Sequence, residues 1–152
     1  MKTIRPSVLI LKNNKILVLK SKYSSGEFYL LPGGNIEEFE TTQETAIRET
    51  KEETNYDIRI EKLLYMQEWI NQSRNKNVLY MIFLGTIISG DETHLNDPCL
   101  DEGHIQKIKW IEIDELMNLK FYPKDILPEI KKSINKGLEK QETLFLEPSI
   151  DD

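Results

Sequence analysis

Residues 34–56 concentrate negative charge to a degree that few folded elements tolerate. The segment GNIEEFETTQETAIRETKEETNY holds seven glutamates against one arginine and one lysine, a net charge of −5 in a chain whose formal net charge is −6. Glu49, Glu52 and Glu53 have the spacings i, i+3 and i+4, so on a helix they share one face. Like charges at these spacings destabilise a helix. The pattern therefore predicts a helix whose acids are kept to bind a cation.

The boundaries of this helix are marked by its neighbours in the sequence. Thr41 and Glu44 have the spacing of a capping box, which favours Thr41 over Thr42 as the N-cap. Asn55 suits the left-handed turn that ends a helix after Thr54. The segment thus predicts a helix from position 41 or 42 to about position 54.

The rest of the chain reads mainly as strands. Apolar or alternating runs predict them over 7–11, 15–19, 28–31, parts of 56–69, 78–88 and 105–113. The first two runs read as a hairpin around residues 12–14, and 78–88 is the most apolar and is predicted to be central. A short helix capped by Asp114 and a helix over 125–136 follow, and the C-terminal end is either a strand or a tail. This order predicts an α+β fold, an α/β/α sandwich with a mixed β-sheet flanked by helices.

Length and composition predict one domain over residues 1–152. An apolar content of 39% and a charged content of 30% are typical of a soluble protein, and no run approaches the length of a membrane span. The first residues lack a signal-peptide pattern, and the single cysteine, Cys99, fits a reducing compartment, so a cytoplasmic location is expected. A pI near 5.1 argues against general binding of nucleic acid.

The spacing inside the acidic segment resembles the signature of the Nudix hydrolases, G-x5-E-x7-R-E-U-x-E-E-x-G-U, where U is a bulky apolar residue. Six of the seven fixed positions match: Gly34, Glu40, Arg48, Glu49, Glu52 and Glu53. The preceding Pro32-Gly33 and the downstream Trp110 and Asp114-Glu115-Leu116 also fit the family, so the resemblance spans roughly residues 5–130. Two positions depart from it. Thr50 replaces an apolar residue and Asn55 replaces the final glycine.

The spacing of the acids fits Mg²⁺, which prefers oxygen ligands and binds through a few carboxylates together with substrate phosphates. Glu49 and Glu53 lie one helical turn apart and can hold one ion, while Glu52 can hold a second ion or a metal-bound water. The Gly33 carbonyl can approach the ion closely, because glycine has no side chain. The expected cofactor is Mg²⁺, with Mn²⁺ as a substitute. The resemblance further implies that Arg48 and Glu40 form an ion pair that ties the loop to the helix.

The resemblance implies hydrolysis of a nucleoside diphosphate linked to another group, by attack of a metal-activated water on phosphorus. The candidate catalytic residues are Glu52, Arg48 and Glu102, and either Glu52 or Glu102 is the general base, with Asp101 a weaker candidate. Glu102 is also a candidate metal ligand, beside Gly33, Glu49, Glu52 and Glu53. Candidate substrate-binding residues are Arg5, Lys20 and Lys22, followed by Arg74, Lys76 and the aromatic residues Tyr29, Trp69 and Tyr80.

The substrate is left open at this stage. The proline typical of ADP-ribose pyrophosphatases is absent, because Asn71 and Gln72 stand at that distance from the acidic segment. A nucleoside triphosphate or a small nucleotide derivative is the default. The alternatives are a non-catalytic nucleotide-binding domain of the same fold and, against the acidic charge, a 5′-end RNA pyrophosphohydrolase. The sequence leaves both a monomer and a homodimer open.

Overall fold

The computed structural model describes residues 2–92 and 105–151. Ten strands, three α-helices and one 3₁₀-helix are assigned within these ranges. In chain order they are β1 (Lys2–Leu9), β2 (Leu11–Lys12), β3 (Lys15–Tyr23), β4 (Gly26–Leu30), α1 (Thr42–Thr54), β5 (Asp57–Asn71), β6 (Lys76–Ser89), β7 (Ile105–Glu112), α2 (Ile113–Leu116), β8 (Phe121–Tyr122), α3 (Ile126–Lys136), the 3₁₀-helix (Leu138–Lys140), β9 (Leu144–Phe145) and β10 (Ser149–Asp151).

The strands form two mixed sheets. The first has the order β1-β6-β5-β10, with β9 also paired to β5. The second has the order β2-β3-β4-β8, with β7 antiparallel to β3. β6 lies between β1 and β5, which confirms the central strand predicted from its apolar sequence.

The predicted N-terminal hairpin is only partly right. The short strand β2 does turn back into β3 through Asn13 and Asn14, which both adopt left-handed backbone with φ of 50° and 61°. β1 instead leaves this sheet and runs parallel to β6, with Lys2 opposite Asn77 and Leu9 opposite Leu84. The pairing of β1 with a strand so far along the chain leaves no local signal in the sequence. The β2–β3 turn does leave one, in the two consecutive asparagines.

Two hydrophobic clusters hold the layers together. In the larger one, Leu64, Tyr65 and Ile82 of the first sheet pack with Ile126 and Ile130 of α3. The smaller cluster packs Ala46 of α1 against residues of both sheets, namely Val8, Leu17, Ile58 and Phe83, and against Ile10 between β1 and β2. The α+β arrangement predicted from the sequence, with helices packed against mixed sheets, is confirmed.

The local rules place the helix ends with one exception. The Thr41 side chain accepts from the Glu44 N–H, and the Glu44 side chain accepts from the Thr41 N–H, so the predicted capping box is present. Asn55 ends α1 in the left-handed conformation, with φ 62°. The cap predicted at Asp114 is wrong, because the N-cap of α2 is Glu112 and the helix begins at Ile113, so that Asp114 lies in its first turn. Among the described residues, no helix is long and apolar enough to span a membrane.

Candidate active site

Both sheets line a cleft of about 1000 Å³. One part of its wall is formed by the N-terminal strand, the loop after β4 and helix α1, through Arg5, Gly33, Gly34, Glu49 and Glu53. Another part is aromatic and comes from both sheets. The cleft therefore places acids, a cation and aromatic rings around one space.

The three clustered acids of α1, Glu49, Glu52 and Glu53, differ in their surroundings, although their spacing puts them on one helix face. Glu49 and Glu53 line the cleft. The Glu49 side chain retains 19% of its exposure, whereas that of Glu52 retains 59% and is not among the described residues that line the cleft. The helix thus turns two of these three acids toward the cleft and leaves Glu52 exposed outside its described lining.

Glu53 is the acid most strongly influenced by its site. Its carboxyl accepts the Gly33 N–H at 2.8 Å and the Gln106 Nε2 at 3.3 Å. Burial raises the pKa of Glu53 to about 8, and the nearby Glu49 charge adds to the rise. The Gly33 N–H, Arg5 and Gln106 act in the opposite direction. No salt bridge engages Glu53 within the described part of the chain. The site thus holds a carboxyl group that a nearby cation would favour in its ionised form.

Arg48 connects the loop before α1 with the acids on the helix. Its guanidinium donates to both oxygens of Glu40, at 2.7 and 3.0 Å, in the predicted loop-to-helix ion pair. It also donates to Glu49 at 2.9 Å and lies 3.4 Å from Glu52. The hydrogen bonds from Arg48, with a further one from Thr45, lower the pKa of Glu40 from 4.5 to about 2. Arg48 therefore offsets the like-charge repulsion that the sequence predicts.

Gly33 and Gly34 allow backbone and side chains to approach closely. A Cβ on Gly33 would overlap the Pro6 carbonyl oxygen and the Ser7 hydroxyl, and one on Gly34 would overlap the Glu49 carboxyl group. The conflict at Gly33 involves backbone atoms and requires glycine, whereas a Cβ on Gly34 would displace the flexible Glu49 side chain. The Gly33 carbonyl, predicted as a metal ligand, accepts a hydrogen bond from the Arg5 guanidinium at 2.8 Å. Arg5, the predicted substrate-binding residue of β1, thus lies at the junction of the loop and the cleft.

The geometry does not place Lys20 and Lys22 in this cleft, against their prediction as substrate-binding residues. Successive side chains of a strand point to opposite faces. On β3, Ser21 and Tyr23 line the cleft, whereas the two lysines are absent from its described lining. Lys20 instead forms an ion pair with Glu27 on the neighbouring strand at 3.1 Å.

The remaining candidates have different outcomes. Glu102 and Asp101 lie outside the described residues, so their roles stay predictions. Arg74 and Lys76, near the turn between β5 and β6, line the cleft. Tyr29 packs against the larger hydrophobic cluster and is not among the described residues that line the cleft.

The aromatic wall is built from contacts across the two sheets. Tyr23 and Phe28 stack with ring centroids 5.6 Å apart, and Phe28 meets the edge of Tyr122 at 5.5 Å. Tyr122 in turn contacts Trp69 at 6.4 Å, and Tyr80 completes the wall. The flat faces of such rings can stack on a planar ligand.

Sequence reasoning did not find several residues of the cleft. Gln106, Ser21, Tyr122 and Asp151 all line it. The only signal for Gln106 and Ser21 is their place in or near predicted strands, where side chains alternate between the two faces of the sheet. This alternation tells which residues share a face but not that the face borders the cleft. Asp151 reaches the site because β10 runs parallel to the end of β5, and no local sequence pattern reveals this pairing.

A comparison with known families decides the identity of this arrangement. The NUDIX domain family matches residues 1–130. The chain belongs to this family.

Individual relatives agree with the Nudix assignment. The chain is 33% identical over 84 residues to a protein named ADP-ribose pyrophosphatase from Methanocaldococcus jannaschii, a match that covers 55% of this chain and 50% of the relative. It thus spans about half the length of this curated relative. Among solved structures, a Nudix hydrolase from Nitrosomonas europaea superposes with a TM-score of 0.72 at 20% identity, covering 90% of each chain. A MutT Nudix hydrolase from Burkholderia pseudomallei gives 0.68 at 20% identity and covers 85% of this chain and 97% of its own. At these identities the structural matches show the fold.

The two departures from the Nudix signature are accommodated differently. Asn55 adopts the left-handed backbone that the usual glycine would adopt, and its amide donates to the Asp91 carbonyl at 2.8 Å. Thr50 is fully buried, and its hydroxyl has no hydrogen-bond partner within the described residues. The first departure preserves the Nudix turn, whereas the second leaves an unsatisfied polar group in the helix interface.

The donor set of this Nudix site fits a hard divalent cation in its chemistry. Glu49, Glu53 and the Gly33 carbonyl offer only oxygen atoms, which Mg²⁺ and Mn²⁺ prefer. Within the described part of the chain, no three acidic, histidine or cysteine side chains converge on one point. Arg48 contacts Glu49 and Glu52, while Glu53 contacts Gly33. The candidate metal ligands are therefore neighbours on one helix and the loop before it, but their oxygen atoms do not converge on a single point.

Proposed function

We propose that this chain is a Mg²⁺-dependent Nudix hydrolase that cleaves the diphosphate linkage of a nucleoside diphosphate derivative or a nucleoside triphosphate. One observation carries the proposal. Glu49 and Glu53 of the family signature line the same cleft as the Arg5 guanidinium and a wall of aromatic rings. A diphosphate and a planar base require these two kinds of surface within one cavity.

In this proposal Glu49, Glu53 and the Gly33 carbonyl hold the cation, with Glu52 and Glu102 as further ligands. When bound, the cation supplies charge neutralisation for the diphosphate and lowers the pKa of a coordinated water. Mn²⁺ would serve in its place, because it also prefers carboxylate and carbonyl oxygens.

The other residues of the chain bind, orient and accept a proton. Arg5 lies beside Gly33, where its remaining donors can hold a phosphate oxygen. Arg48 keeps Glu49 and Glu52 oriented on the helix. Glu52, whose side chain is exposed, or Glu102 removes the proton from the attacking water. Lys20 and Lys22 have no assigned contact in this scheme.

Replacing Glu53 by glutamine tests the proposal most directly. Glutamine keeps the shape of the side chain but removes the negative charge, so turnover should fall by at least about 100-fold. Mg²⁺ affinity, measured by isothermal titration calorimetry, should fall with it, while thermal unfolding shows an intact fold. Glu38→Gln makes the same charge change in an exposed residue of the preceding loop and should leave turnover unchanged. Near-normal turnover in Glu53→Gln would contradict the proposed site.

The substrate is best identified with a panel of nucleotides. Phosphate release, with inorganic pyrophosphatase added, would be measured for nucleoside triphosphates, ADP-ribose and UDP-sugars. ADP-ribose belongs in the panel because of the relative's name, although the proline typical of that class is replaced by Asn71 and Gln72. Absence of turnover on every member, with both Mg²⁺ and Mn²⁺, would favour the alternative of a non-catalytic nucleotide-binding domain.

We further infer a single domain over residues 1–152 and a cytoplasmic location. The first rests on the two hydrophobic clusters, both of which include residues from the two sheets. The second rests on the single cysteine, which fits a reducing compartment. Limited proteolysis and fractionation of cells that produce the protein would test the two inferences separately.

A further inference from the structure

The hydroxyl group of Ser21 is buried and unpaired at a place where the cleft could supply a partner. Ser21 is 1% exposed. Among the described residues, four buried side-chain polar atoms lack a hydrogen-bond partner: those of Ser21, Thr50, Gln67 and Asn77. Of these four residues, only Ser21 lines the cleft. An unpaired buried hydroxyl is costly in the free protein, so a hydrogen bond from a ligand would remove a real penalty.

The position of Ser21 within the cleft narrows the ligand group that it would meet. In the second sheet Ser21 lies opposite Gln106 on one side and opposite Phe28 on the other. Gln106 donates to the carboxyl group of Glu53, and Phe28 stacks on Tyr23. Ser21 therefore lies between the acids proposed to bind the diphosphate and the aromatic wall proposed to bind the base.

The part of a nucleotide that lies between its phosphates and its base is the sugar. A ribose carries hydroxyl groups that both donate and accept hydrogen bonds, as the serine hydroxyl does. A 2′-deoxy or 3′-deoxy sugar lacks one of them, and the form that lacks the hydroxyl group bonded to Ser21 would leave Ser21 unpaired. Sites that hydrogen-bond a ligand hydroxyl discriminate strongly against analogues that lack it.

We propose that Ser21 hydrogen-bonds one ribose hydroxyl group and thereby makes this cleft selective for nucleotides whose sugar carries that hydroxyl group. The inference deepens the proposed function and rests on it, because it names the sugar class of the substrate held in the same cleft.

Binding of nucleoside monophosphates tests the inference without any turnover, since these compounds contain no anhydride bond. Affinities for AMP, 2′-deoxyAMP and 3′-deoxyAMP, and for the matching guanine compounds, would be measured by isothermal titration calorimetry with Mg²⁺ present. The wild-type protein should bind the ribonucleotide about tenfold more tightly than one of the two deoxy forms. In Ser21→Ala this preference should disappear, with the loss of affinity falling on the ribonucleotide.

The unfolding temperature of the free protein provides a second readout, because replacing a serine with a purely structural role would lower it. Because the Ser21 hydroxyl has no partner in the described chain, Ser21→Ala should keep or raise the unfolding temperature. Ser133 is the matched control. It is also 1% exposed, but its hydroxyl bonds to the Glu129 carbonyl and the Gln141 side chain, and it does not line the cleft. Ser133→Ala should lower the unfolding temperature and leave the ribose preference unchanged.

Three results would overturn the inference. The first is a wild-type protein without a ribose preference. The second is an equal loss of affinity for all three nucleotides in Ser21→Ala, which indicates a phosphate or base contact. The third is a Ser21→Ala protein with a lowered unfolding temperature and an intact ribose preference. Each of them can occur while the protein still hydrolyses nucleotides, so the inference fails separately from the proposed function. If the protein shows no turnover but retains the ribose preference, the proposed function fails and the inference about Ser21 stands.

Discussion

At the scale of single residues, the helix that carries the acids packs against the sheets through a buried face made mostly of threonine. Its buried residues are Thr45, Ala46, Thr50 and Thr54, whereas Ile47, the largest apolar residue of the helix, is 38% exposed. Three threonines thus pack where a helix normally presents aliphatic side chains. Two of their hydroxyls are hydrogen-bonded, and the third, on Thr50, has no partner in the described chain.

Thr50→Val should therefore stabilise the protein by about 1 kcal/mol, because it removes a buried unpaired hydroxyl and keeps the branched shape. Unfolding in urea, read by circular dichroism, measures the change. Thr54→Val is the matched control, since the Thr54 hydroxyl donates to the Thr50 carbonyl at 2.6 Å and accepts the Tyr56 N–H at 3.2 Å. The control should be destabilised. A loss of stability in both variants would show that the Thr50 hydroxyl does have a partner.

Glu40 predicts how stability depends on acidity. Hydrogen bonds from Arg48 lower the pKa of Glu40 from its ordinary 4.5 to about 2. The folded state therefore holds the Glu40 proton more weakly than the unfolded state does. Its contribution to stability is complete above pH 4.5 and is lost as the pH falls toward 2.

Glu40→Gln should accordingly be less stable than wild type near pH 7, and the difference should shrink between pH 4.5 and pH 2. Urea unfolding at a series of pH values measures it. Glu37→Gln removes an exposed acid that lies 3.7 Å from Arg48 and should show little of this dependence. A constant gap between Glu40→Gln and wild type across that range would contradict the assignment.

At the scale of elements, the end of α1 determines how the Nudix segment joins β5. Asn55 holds a left-handed backbone with φ 62°, where the family signature has glycine. Residues with a Cβ other than asparagine and aspartate adopt this region at a cost of roughly 1–2 kcal/mol. The structure thus predicts an order among substitutions at this position.

Asn55→Gly should retain nearly wild-type stability, because glycine adopts the left-handed backbone without strain, which offsets the lost hydrogen bond to the Asp91 carbonyl. Asn55→Ala should lose about 1 kcal/mol, because it loses the same bond and strains the turn. Thermal unfolding of the two variants beside wild type gives the order. Equal stability of the two would show that the left-handed turn is not needed.

At the scale of the whole molecule, the C-terminal residues complete the cleft. β10 extends the first sheet beside Trp69, Ile70 and Asn71, beyond the last residue matched by the family. The Asp151 carboxyl accepts the Trp69 indole N–H at 2.8 Å, and both side chains line the cleft. The last strand therefore orients part of the aromatic wall.

Asp151→Ala should weaken nucleotide binding several-fold, seen as a higher KM, with kcat little changed, because Asp151 does not contact Glu49 or Glu53. Asp151→Asn keeps an oxygen acceptor for the indole and should restore most of the affinity. In a Trp110→Phe background, fluorescence of Trp69 reports its orientation directly. An unchanged KM together with a shifted Trp69 emission would separate this ring from substrate binding.

How much the sequence could predict follows from the distance between interacting residues. The capping box and the left-handed Asn55 are local and appear where the sequence predicted them, and the Arg48–Glu40 pair appears as the family resemblance implied. Pairings that join distant segments left no such trace, as with β1 beside β6 and β10 beside β5. For this reason the sequence could place Glu49 and Glu53 together on one helix face. It could not show that Ser21 and Tyr23, rather than the proposed substrate contacts Lys20 and Lys22, are the β3 residues that line the cleft.

The division of the cleft between separate elements has an evolutionary consequence. The proposed metal ligands come from one helix and the loop before it, while the rings come from strands of both sheets, among them the two ends of the β3–β4 hairpin. Mutations can therefore accumulate in the second group without disturbing the first. A lineage could acquire a new preferred metabolite while retaining its inherited reaction, and a chimaera that exchanges only the hairpin tips should show such a change in a single step.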